Sequence, residues 1–212
     1  MMNIFFDLDG TLTDSGRGII NSVLYALKKM ELEEPRPDEL SRFIGPPLQH
    51  TFSTRYALTA ADTNRAVALY REYFSEKGWA ENQVYAGISA MLEQLAKKHR
   101  LFVVTSKPEV FARRIIGHFD LESFFEGITG SRLDNTLPDK TELIRHTLVT
   151  HQLHAAETIM VGDRKYDIIG ARNNNVTAAG VLYGYGTEAE LVENKADHLL
   201  TTVAELSRFL LN

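Results

Sequence analysis

Apolar residues follow two different rhythms along the chain, and the change of rhythm divides it. Ile4-Phe5-Phe6 is a short apolar run halted by Asp7-Leu8-Asp9-Gly10, the mark of a buried strand running into a loop. From residue 15 to about residue 78 the texture is helical, with no clear strand. Ile20, Val23, Leu24, Leu27 and Met30 recur at spacings of three and four and predict one amphipathic helix. Pro35 and Pro37 stop it and open a short helix, and Gly45-Pro46-Pro47 makes a rigid break. Thr59 with Asp62 resembles a capping box, and Val67, Tyr70, Tyr73 and Phe74 form a further stripe ending near Gly78.

From about Val84 helices and strands alternate. Ile88, Met91, Leu92 and Leu95 predict a helix face, and Leu101-Phe102-Val103-Val104 reads as a strand covered on both sides. Ser106 with Glu109 is placed to cap the next helix. A short strand is expected near 127–129, and a helix opening at Leu137-Pro138-Asp139-Lys140 with Leu143, Ile144 and Leu148 on one face. A strand over 158–161, a helix through Ile168 and Ala171, strands near 179–182 and 198–200 and a helix over 203–210 complete the series. This alternation predicts an α/β fold, a parallel sheet with helices on both faces, in which ligands bind beyond the carboxyl ends of the strands.

That placement gathers scattered polar residues. Asp7 and Asp9, Thr105, and Asp163 with Asp167 each lie just past a predicted strand end, and Lys140 sits at a helix start expected on the same edge. Asp7 and Asp9, two apart on a strand, share a face. Such a pair is held by a cation between the carboxylates or by a proton on one of them. Counting Lys140, the cluster is about three charges negative, and hard oxygen donors in modest number suit magnesium better than zinc.

Composition narrows the partners. A net charge of −5 over 212 residues leaves no basic footprint for nucleic acid. No apolar run approaches a membrane span. The chain contains no cysteine, which suits a reducing cytoplasm, the expected location, and removes thiolate sites. The Met-Met-Asn-Ile start has no basic flank and enters a strand directly, so no signal peptide is expected. Oligomeric state is not readable.

Asp7-Leu8-Asp9-Gly10-Thr11, Thr105-Ser106, Lys140 and Gly162-Asp163 with Asp167, in that order behind strands, are the residues through which the chain resembles the haloacid dehalogenase superfamily. Within it the chain is similar to phosphoglycolate phosphatase-like members of the phosphatase branch. Thr141 follows Lys140 where many members have Pro. The resemblance implies a Rossmann-like doubly wound core over 1–14 and 84–212, with residues 15–83 as an inserted α-helical cap. It implies that Asp7 is the nucleophile and forms an aspartyl-phosphate, and that Asp9 is the general acid and base. Thr105, Ser106 and Lys140 would hold the phosphoryl oxygens. Asp7, Asp9 through its carbonyl, Asp163 and Asp167 would hold magnesium.

The implied substrate is a small phosphorylated metabolite, with phosphoglycolate first and a nucleoside monophosphate second. Arg17, Arg42 and Arg55 are the cap cations that could read its charge. Alternatives on the same core are a phosphomutase or an inactive phosphate-binding protein. His146, His151 and His154 lack the spacing of a helical zinc pair, and Gly184-Tyr185-Gly186 reads as an ordinary turn.

Overall fold

The structure is a computed structural model that describes residues 1–133 and 139–212. In chain order, β1 (Asn3–Phe6) and β2 (Thr13–Asp14) come first. The helical stretch contains α1 (Gly16–Lys29), α2 (Pro37–Leu40), α3 (Leu48–Tyr56) and α4 (Ala60–Tyr73). Then follow β3 (Gln83–Val84), α5 (Ile88–Leu95), β4 (Arg100–Pro108), α6 (Glu109–His118), β5 (Gly127–Ser131) and α7 (Lys140–Thr150). The chain ends through β6 (Thr158–Gly162), α8 (Lys165–Asn173), β7 (Thr177–Val181), α9 (Glu188–Glu193), β8 (His198–Leu200) and α10 (Val203–Leu211).

These elements form two compact units, one of residues 1–14 and 84–212 and one of residues 15–83. In the first, the sheet order among the described residues is β5-β4-β1-β6-β7-β8, and every pairing is parallel. The sheet's two sides are covered by helices, the Rossmann-like arrangement. Phe5, Phe102, Met160, Leu143, Ile144 and Ile168 are fully buried between sheet and helices, with Phe5 and Phe102 edge to face at 5.5 Å. Fully burying one such side chain contributes about 1.5–3 kcal/mol, so the central strands are the firmest platform available. Phe6 lies level with Val103 and with Val161. The residues that follow these three strands therefore emerge at one edge.

One expectation of the core changes. Ser106 does not cap α6, whose first residue follows Pro108 with no side-chain cap. The reason is that β4 runs on through Ser106 alongside β5, where the Ser131 hydroxyl donates to the Ser106 carbonyl at 2.7 Å. The opening Leu137-Pro138 of the next predicted helix lies outside the described residues. The missed helix α9 is short and starts at Thr187, whose hydroxyl accepts from the Glu190 amide.

In the second unit α1 packs on α4. The buried face of α1 is Gly18, Ile19, Ser22, Val23, Ala26 and Leu27, so the predicted stripe is rotated and Ile20 and Leu24 are only half-buried. Small residues belong on that face because a Cβ on Gly18 would lie 1.9 Å from the Gly78 carbonyl oxygen. Thr59 caps α4 through the Asp62 amide, as its spacing predicts. The chain then widens into a single π turn, Phe74–Gly78. No described helix is long and apolar enough to cross a membrane.

Candidate active site

The loop after β1 is a tight turn built on one carbonyl. The Leu8 oxygen accepts from the amides of Leu12 and Thr13, both at 3.0 Å, while the Gly10 amide donates to Thr13. Gly10 has φ of +83°, and a Cβ there would sit 2.3 Å from Asp163 Oδ2. Only glycine meets both demands. The turn presses the backbone of the first motif onto the fully buried Asp163 carboxylate. Asp163 accepts from the Thr11 hydroxyl at 3.3 Å and from the Tyr185 amide at 2.8 Å.

Asp7 extends β1 by one amide, which donates to the Val161 carbonyl at 2.9 Å. Asp167 lies in the first turn of α8, where its Oδ2 accepts from the Arg164 amide at 3.0 Å. Lys140, the first residue of α7, is 4% exposed. Its Nζ donates to the Val104 carbonyl at 2.9 Å and lies 2.9 Å from Asp7 Oδ1 and 2.7 Å from Asp167 Oδ1. These two carboxylate contacts are ion pairs without well-directed hydrogen-bond geometry. Lys140 thus hydrogen-bonds the strand tip and sets its charge against two acids at once.

Thr105 is buried, and its hydroxyl accepts from the Lys107 amide at 3.2 Å. Its own hydrogen is left to donate. Ser106, half-buried, contributes its carbonyl to Ser131. Asp9 does not face Lys140: both its carboxylate oxygens meet Lys107 Nζ, at 2.9 and 2.7 Å. Lys107 is the site residue that sequence reasoning missed. Its signal was faint, a lysine between the Thr105-Ser106 motif and Pro108. Gly184-Tyr185-Gly186, expected as an ordinary turn, packs against the site: a Cβ on Gly186 would lie 1.8 Å from the Asp163 carbonyl oxygen, and the Tyr185 hydroxyl donates to Asp14 at 2.6 Å. In the helical unit Arg55 pairs with Glu39, while Arg17 and Arg42 are exposed.

The electrostatics show what kind of ion the cluster suits. Burial first, then Asp167 and Asp7, raises the Asp163 carboxyl well above the usual carboxylate range. Burial pushes Asp167 up to about 6, against the pull of Lys140. Burial pushes Lys140 down, but Asp167 and Asp7 outweigh it and hold the ammonium above its ordinary value. Four carboxylates face two ammonium groups, Lys107 and Lys140. Asp7, Asp163 and Asp167 offer oxygens that all lie within 4.8 Å of one another. Three buried oxygen donors with unbalanced negative charge fit a hard divalent cation.

A family model described as haloacid dehalogenase-like hydrolase matches residues 4–181. The chain belongs to the haloacid dehalogenase-like hydrolase family. It is an enzyme, a phosphatase of that family. It is similar to a 5'-nucleotidase of Pseudomonas aeruginosa, 46% identical over 98% of this chain and 95% of that protein. It is also similar to the tyrosine-protein kinase PtkA of Mycobacterium tuberculosis, 35% identical over 96% of this chain and 69% of that protein. Among solved structures, a predicted phosphatase from Clostridium acetobutylicum superposes with a TM-score of 0.95, at 41% identity over 99% of this chain and 98% of that one. The family's use of a divalent metal agrees with the donor set formed by Asp7, Asp163 and Asp167.

Proposed function

We propose that this phosphatase hydrolyses a small phosphomonoester through a phosphoryl group carried on Asp7, and that its metal is magnesium. The observation that supports this most is the meeting of Asp7, Asp163 and Asp167 around one point with Lys140 clamping two of them. Asp7, Asp163, Asp167 and the Asp9 carbonyl would hold the ion, which supplies positive charge against the anionic ester. Lys140 fixes Asp7 Oδ1, which leaves the other Asp7 oxygen to attack phosphorus. The ester P–O bond then breaks and Asp9 gives a proton to the leaving oxygen. In the second half, water attacks the acyl phosphate, Asp9 takes the water's proton, and phosphate leaves. The Thr105 hydroxyl donates to a phosphoryl oxygen, and the α7 start near Lys140 adds backbone donors. Ser106 contributes from the same strand end. Residues 15–83 would serve as the cap in this reading.

For the substrate we place a nucleoside 5'-monophosphate first, since the 46%-identical relative is named a 5'-nucleotidase. This reverses the order expected from sequence, where phosphoglycolate stood first. Arg55 already holds Glu39, which weakens it as a reader of substrate charge and leaves Arg17 and Arg42. A panel of phosphorylated metabolites with wild type, Asp7→Asn and EDTA-treated protein tests the reading. The expected result is a preferred nucleotide, with turnover lost in both controls. Comparable low rates on every ester would overturn the substrate, and turnover by Asp7→Asn would overturn the mechanism.

A further inference from the structure

The mechanism above assigns no part to Lys107, yet the fold goes to some length to bury it. The pairing of β4 with β5 is regular to Thr105 opposite Gly130 and then slips, with Pro108 opposite Ser131. Irregularities of this kind re-aim a side chain. Here the slip is stabilised from three sides. The Lys107 amide donates to the Thr105 hydroxyl, the Ser106 carbonyl accepts from Ser131, and Gly130 lets the strands approach. A Cβ on Gly130 would lie 2.6 Å from the Lys107 carbonyl oxygen. The result is a lysine whose side chain is 6% exposed, with Nζ bonded to both oxygens of Asp9. A buried ammonium carries a desolvation cost that a close partner must offset. Lys140 serves Asp7 and Asp167, and Lys107 holds Asp9.

We propose that Lys107 is a positioning residue that fixes the direction of the Asp9 carboxyl toward the leaving oxygen. It acts through Asp9, not on the phosphoryl group. The proposal rests on the acid role given to Asp9 above. Its consequence depends on the leaving group. An ester of an aliphatic alcohol needs a proton on the departing oxygen, whereas p-nitrophenolate leaves without one. A lysine that served only the packing of the strand end would affect both esters alike.

The experiment compares kcat/KM on a nucleoside 5'-monophosphate and on p-nitrophenyl phosphate for wild type and Lys107→Gln. The expected loss is about 10²-fold on the nucleotide, at the low end of general-acid contributions, with a change of only a few-fold on the nitrophenyl ester. Lys107→Arg, which can still grip both Asp9 oxygens, should regain most of the nucleotide rate. If Lys107→Gln does not fold, Lys107→Met and Lys107→Arg carry the same comparison. In an Asp9→Asn background Lys107→Gln should add no further selective loss. Parallel losses on the two esters, or no loss on either, overturn the proposal while leaving the phosphatase reading intact. A wild type that turns over neither ester overturns both.

Discussion

Lys140 in the core unit and Arg55 in the helical unit are both cations held by carboxylates, in very different surroundings. The Lys140 side chain is 2% exposed and grips Asp7 and Asp167, while that of Arg55 is 25% exposed and grips Glu39. An exposed pair gains little and is screened by salt. A buried pair is kept at the cost of desolvation, and breaking it leaves an uncompensated charge. The strand tips therefore hold chemistry that tolerates no exchange. The cation pairs of the helical unit can be exchanged at little cost.

The sharpest way to break this contrast is Asp7→Asn. It should lower turnover by about four orders of magnitude or more, in the range seen when a covalent nucleophile is removed, with the fold kept because Lys140 retains Asp167. A residual rate within tenfold of wild type would show that the buried acids are structural.

How much of this was legible in the chain depends on what each residue's signal was. Asp7, Asp163 and Lys140 were readable because each follows or opens a regular element, so topology alone carries them to one edge. Asp9 was readable as a motif residue, but its partner Lys107 was not. Its inward aim comes from a slip in strand pairing that depends on Gly130 in a neighbouring strand. The packing role of the Gly184-Tyr185-Gly186 turn is hidden for a similar reason. Its glycines answer to the backbones of Gly10 and Asp163, which are far away in sequence. In the helical unit the rotation of the α1 stripe came from Gly18 and Ser22, small residues that an apolar count passes over.

Asp163→Asn separates the two roles of a buried carboxylate, metal holding and stored repulsion. Magnesium affinity, read by titrating activity, should fall about 10- to 100-fold or more. In metal-free buffer the variant should nevertheless melt higher than wild type. The sign follows from the raised Asp163 carboxyl: the folded state binds that proton more tightly than the unfolded state. Wild-type stability is therefore lost as pH rises above the ordinary carboxylate range. The melting difference, variant minus wild type, should grow as pH rises above the ordinary carboxylate range and shrink when magnesium is added. A difference that does not change with pH would contradict the electrostatic account.

A smaller effect is expected at Gly186→Ala. The added methyl meets the Asp163 carbonyl, and such overpacking costs about 1–3 kcal/mol. Because the strain falls on Asp163, magnesium affinity should weaken with stability; an unchanged melting curve would show that the stretch yields freely. The smallest effects belong to the helical unit. Arg55→Ala should leave both the melting temperature and KM nearly unmoved. Arg42→Ala should raise KM on the preferred acidic substrate with kcat kept, and equal Michaelis constants would remove Arg42 as a reader of charge.

The most direct test of the central claim is to quench wild-type protein in acid during turnover and map the phosphoryl group by mass spectrometry. The account predicts phosphate on the peptide that carries Asp7, lost in Asp7→Asn and lost when magnesium is chelated. Phosphate on a different residue, or steady turnover with none trapped in wild type or in an Asp9→Asn variant that slows its release, would contradict it.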